Sequence, residues 1–160
     1  MNELTLENVK ALARTGEAIK LTPVPGDRNI FRLIEGVSII LSNGDQIILQ
    51  AGWEYDGSTV PYFFQWAFPK WGIYSFNSLV HDVLYYKTYG DRSFADKEHF
   101  IWGKALAIKE TDNWCRYTVL RLFGWIYWNK SKNRPSERAL RNNTLTTIIA
   151  NNGQYRHQQN

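Results

Sequence analysis

The chain has 160 residues, 44% of them hydrophobic, enough for one domain with its own core and too few for two. Its single cysteine, Cys115, excludes an internal disulfide framework, and every apolar run is cut by Lys, Arg, Asn or Gly before it could span a bilayer, so no transmembrane segment is expected. The formal net charge of +4 comes from basic residues late in the chain; such a spread solvates a face and does not favour sequence-specific nucleic acid.

Taken in order, Leu6, Val9, Leu12 and Ala13 recur at helical spacing and Gly16 stands where a helix would stop, which predicts a short amphipathic helix from Thr5 to Thr15. Strands are expected over Glu17 to Thr22 and Asn29 to Glu35, parted by the turn-rich Pro23-Val24-Pro25-Gly26-Asp27. Val37 to Leu41 and Gln46 to Gln50 flank Asn43-Gly44, which predicts a tight hairpin with positive backbone angles. Ala51 to Gly72 fits neither period and carries glycines and prolines among aromatics, the mark of an irregular and functional connection. Helices are then expected from Ser75 to about Thr88, Ser93 to about Ile108, Asn113 to about Trp128, and Ser136 to about Ala150, followed by a polar tail over 151–160. The fold class is α+β, a small antiparallel sheet followed by a bundle of three to four helices, in a single domain over 1–150. Trp114, Trp125 and Trp128 are expected on a buried helix face, Cys115 in the core, and His99 in solvent.

Chemistry concentrates in His81-Asp82-Val83-Leu84-Tyr85-Tyr86 and, after a reversal near Tyr89-Gly90, in Asp91 to Phe100. Antiparallel helices joined there bring His81 within a turn of both Asp96 and Glu98; the apolar neighbours of Asp96 favour that pairing. So placed, Asp96 would hold one imidazole nitrogen of His81 while the other takes a proton from water. Asp82 points about a quarter turn away, toward Gly52 to Ser58, where with Asp56 and Gly57 it would complete an oxygen-rich site of the kind calcium prefers. The plainer alternative is a buried polar network locking the helices, with Asp56-Gly57-Ser58 an ordinary turn and Asp91 or Ser93 a helix cap.

Three segments carry a resemblance. Gly52-Trp53-Glu54-Tyr55-Asp56-Gly57-Ser58-Thr59-Val60-Pro61, His81-Asp82-Val83-Leu84-Tyr85 and Asp91-Arg92-Ser93-Phe94-Ala95-Asp96, continuing to Phe100, are similar in order and spacing to an uncharacterised domain family of tailed phages and prophages, with the final Phe one place later here. That resemblance implies a phage-encoded protein of the bacterial host's cytoplasm or of the virion. More loosely, the His-Asp helix resembles secreted calcium-dependent phospholipases, although Leu84 stands where their cysteine is expected and no glycine-rich calcium loop precedes His81. The looser resemblance implies His81 as base, Asp82 as calcium ligand, Asp96 as the orienting acid and Tyr85 as a supporting hydroxyl. The expected function is therefore a metal-assisted hydrolase of phospholipid or another cell-envelope ester. The alternatives are a non-catalytic virion or tail-associated protein with a phage partner, and a host-directed binding protein such as a defence inhibitor.

Overall fold

A computed structural model of the chain describes residues 1–16, 18–27, 30–55 and 74–151. It is an α+β structure with two small sheets and five helices among the described residues. The first sheet has the order β1-β4-β5-β7: β1 (Asn2–Leu4) runs parallel to β4 (Val37–Ile40), β4 pairs antiparallel with β5 (Gln46–Leu49), and β5 pairs antiparallel with β7 (Thr146–Ile149). The second sheet, β2 (Leu21–Pro23), β3 (Phe31–Leu33) and β6 (Glu54–Tyr55), is antiparallel throughout.

The hairpin of β4 and β5 forms where expected, but with a different turn. The Leu41 amide donates to the Asp45 carbonyl at 2.8 Å and the Gly44 amide to the Leu41 carbonyl at 2.9 Å. Of the Asn43-Gly44 pair only Gly44 takes a positive φ, +83°. This is a three-residue loop closed by one left-handed glycine, the geometry that follows an ordinary turn rather than a two-residue mirror-image turn. Near the start, α1 (Val9–Thr15) begins later than expected because Thr5 and Asn8 cap each other: the Thr5 amide donates to Asn8 Oδ1 and the Asn8 amide to Thr5 Oγ1.

The helical half comprises α2 (Tyr74–Lys87), α3 (Arg92–Ala105), α4 (Glu110–Asn133) and α5 (Glu137–Thr144). Pro135 precedes Ser136, whose side chain accepts from the Ala139 amide and caps α5. The expected last helix ends at Thr144 instead of Ala150. Thr146, Thr147, Ile148 and Ile149 are β-branched and extend along β5, with Thr147 opposite Ile48 and Ile148 opposite Ile47. Spacing that looked helpful to a helix serves a strand equally well once a partner strand is present.

Three burial expectations are overturned. Cys115 and Trp125 lie on the side of α4 turned away from α3 and are exposed, Trp114 is half-exposed with its ring against Phe100 of α3, and His99 is buried at 4% exposure. The core joins both halves: Ile39, Ile47 and Leu49 of the first sheet, Leu79 and Leu84 of α2, and Trp102 of α3 are all fully buried. No described helix is long and apolar enough to cross a membrane.

Candidate functional site

Local sequence sets the positions of the site residues. Asp91 caps α3 by accepting from the Phe94 amide at 2.7 Å, which fixes the start of the helix and turns Asp96, Glu98 and His99 inward. Between α2 and α3, Thr88 and Gly90 adopt left-handed backbone angles, so the chain reverses within a few residues and α2 and α3 pack side by side.

Asp96, fully buried, is the centre of the arrangement. Its Oδ1 accepts from His81 Nε2 at 3.2 Å and from the Tyr85 hydroxyl at 2.7 Å. Its Oδ2 accepts from Arg92 NH1 at 3.1 Å and Arg121 NH1 at 2.9 Å. Arg92 NH1 also donates to the Leu120 and Arg121 carbonyls, so one carboxylate ties α2, α3 and α4 together. Burial opposes its ionisation, but the bonds from His81, Tyr85 and Arg121 outweigh burial and hold it below the ordinary carboxylate range. The Tyr85 phenol is pushed up by burial and by the Asp96 charge and stays protonated as a donor.

His81 lies one turn from Tyr85, their rings 4.0 Å apart. With Nε2 committed to Asp96, the remaining nitrogen, Nδ1, stands 3.7 Å from Asp82 Oδ1. Burial disfavours the imidazolium, yet the hydrogen bonds and charges of Asp82 and Asp96 more than compensate, and the pKa lies above 6.5. His99 is its opposite. Burial first, then the nearby His81 and Arg116, push its pKa well down, so it is neutral. Asn77 Nδ2 donates to His99 Nε2 at 3.2 Å, which puts the ring hydrogen on Nδ1, and that atom has no hydrogen-bond acceptor among the described residues.

A pocket of about 360 Å³ opens beside these groups. His81, Asp82 and Tyr85 of α2 and His99 of α3 form one wall; Leu120, Phe123 and Tyr127 of α4 form an apolar one. Arg116, Lys130, Arg134 and Arg138 also line it, and Asp82 is the one acid among its described lining residues. An anionic group on an apolar body suits such walls.

Glu98, the other acid within reach on spacing alone, goes elsewhere. It accepts from the Ser42 amide and hydroxyl in the hairpin loop and from Trp102 Nε1, which ties α3 to the first sheet. A further network was not anticipated from sequence: Glu54 accepts from Arg32 NH2 at 2.7 Å and Arg141 NH2 at 2.9 Å, and its backbone is clasped by the Asn142 side chain. It anchors β6 to α5. Of the expected calcium ligands, Asp56 and Gly57 lie outside the described residues. Among the described residues no group of three His, Cys, Asp or Glu could hold a metal ion. Asp82 is thus the one expected ligand whose position is given.

A family model, DUF1353, a protein of unknown function, matches residues 31–120, more than half of the chain and the whole of the His81, Asp82, Tyr85 and Asp96 constellation. The chain belongs to the DUF1353 family. No curated protein and no solved structure matches it. The family match ends at Leu120, so the second half of α4, with Phe123 and Tyr127 of the pocket wall, and all of α5 and β7 lie beyond it.

Proposed function

We propose that this DUF1353 member is a phage-encoded hydrolase of phospholipid or another cell-envelope ester, with His81 as general base. The observation that carries this reading is the 3.2 Å bond from His81 Nε2 to the fully buried Asp96, in a residue that also lines an open pocket. Asp96 holds the ring hydrogen on Nε2, and in the neutral imidazole, above its raised pKa, the unprotonated Nδ1 beside Asp82 is the atom that can take a proton from water. Nδ1 takes a proton as the water oxygen attacks the carbonyl carbon, and the imidazolium, steadied by Asp82 and Asp96, returns a proton to the departing alkoxide as the C–O bond breaks. His99 and Arg116 line the same pocket and carry N–H groups of the kind that steady a developing oxyanion. The basic lining residues suit a substrate phosphate, and Leu120, Phe123 and Tyr127 its apolar part. The phage assignment rests on the three ordered motifs.

Purified protein should release product from phospholipid or peptidoglycan-linked esters, and His81→Gln should lower the rate by about 10²–10⁴-fold while keeping the far-ultraviolet circular dichroism of the parent. The rate should rise with pH through the elevated imidazole pKa, above 6.5. Absence of turnover on both substrate classes, with and without calcium, or full activity in His81→Gln, would refute the reading. Calorimetric calcium titration of the parent and of Asp82→Asn tests the metal separately.

A second reading has its own support. Asp96 with four donors from three helices is also what a purely structural lock requires, as in a non-catalytic virion or tail-associated protein. Particles assembled without this chain that remain infectious would exclude it.

A further inference from the structure

α4 is packed by α3 and α2 on one side. Its outward side carries Leu122, Trp125 and Ile126 at 60, 54 and 48% exposure, with Cys115, Thr118 and Asn129 also exposed along it, while Trp114, half-exposed, flanks it with its ring against Phe100 of α3. Positions 115, 118, 122, 125 and 129 follow the alternating three-and-four spacing of a seam that packs on another helix. An indole and two aliphatic side chains facing water along one helix make an apolar surface of the sort that marks an interface.

The charges at the ends of α4 say what covers it. Glu110 and Asp112 lie in its first turn, Lys130 and Lys132 in its last. Lys109, at the cap, dilutes the acidic end without reversing it. An identical helix laid antiparallel across the seam brings the acidic end of each to the basic end of the other, twice by symmetry, with Leu122 near the two-fold axis. A parallel copy would set like charges together. An anionic bilayer would gain from the lysines but would repel Glu110 and Asp112 at the other end of the same seam.

We propose that the protein forms an isologous dimer through antiparallel pairing of α4, with the Cys115–Asn129 seam buried between the two copies. Lys130 also lines the pocket beside His81, so the dimer seats the first α4 turn of one copy near the pocket of the other. The interface holds whether or not His81 is a catalyst.

Light scattering of the full chain should give twice the 18.7 kDa monomer mass, and Leu122→Glu should return it to monomer with unchanged circular dichroism. A Glu110→Lys/Asp112→Lys variant and a Lys130→Glu/Lys132→Glu variant should each dimerise at least ~10-fold more weakly than the parent, about 1.4 kcal/mol. Mixed, the two should restore a heterodimer, because each then meets opposite charge at both ends. A monomeric parent, a dimer that survives Leu122→Glu, failure of the mixed variants to pair, or binding of the monomer to phosphatidylglycerol vesicles through this face would each overturn the proposal.

Discussion

Asp96 has no contact with solvent, four donors and a single negative charge, so each donor that is removed leaves a buried carboxylate less well satisfied. Tyr85 makes the shortest of those bonds, 2.7 Å. Tyr85→Phe should therefore destabilise the fold by about 1–2 kcal/mol in urea titration and loosen the orientation of His81. If the phenol were only packing, the loss would be within a few tenths of a kcal/mol. His81 was legible at this scale, since adjacent His and Asp followed by a reversal and an Asp can be paired by counting. His99 was not. A histidine next to Glu98 and Lys97 reads as solvent-facing, and only the inward rotation of α3 shows it buried against His81, with ring centroids 5.6 Å apart.

At the scale of elements, the approach of α4 to α2 depends on Gly124. A Cβ there would sit 2.5 Å from the Tyr85 hydroxyl and 3.4 Å from Arg92 NH1, and both groups are held in place by Asp96. Alanine brings a helix-propensity gain of about 1 kcal/mol against an overpacking cost of about 1–3 kcal/mol. Gly124→Ala should thus be destabilising in the parent and neutral or stabilising in Tyr85→Phe, where the clashing oxygen is gone. A double-mutant cycle by chemical denaturation reads this directly; additive effects would show that the close approach does not govern the packing. The same scale exposes the limits of periodicity. α2 and α3 were legible to within one residue at their starts, since Asp91 supplies a cap. β7 was not, because Leu145, Ile148 and Ile149 satisfy a helical stripe as well as a strand, and the choice is made by β5, about a hundred residues earlier in the chain.

For the whole molecule, two neighbouring histidines pull stability in opposite directions with pH. The pKa of His81 is raised on folding, so its contribution is complete below about 6.5, the unfolded value, and is lost as pH rises through the folded one. The pKa of His99 is depressed, so its contribution is present above about 6.5 and is lost as pH falls. Denaturation midpoints between about pH 5 and about pH 8 should show His99→Gln gaining on the parent at the acid end and His81→Gln losing there. Parallel profiles for all three proteins would contradict the opposed assignment.

Composition, capping and periodicity by themselves determined the α+β class, the hairpin at Asn43-Gly44, the pairing of α2 with α3 and the meeting of His81 with Asp96, because each depends on residues close in the chain or joined by one short turn. Only the tertiary structure decided that Arg92 and Arg121 close the shell around Asp96, that Glu98 serves the sheet, that Thr146–Ile149 is a strand and that Trp125 faces outward. Those outcomes turn on which surfaces meet after long stretches of chain have folded back, and local spacing carries no record of the partner.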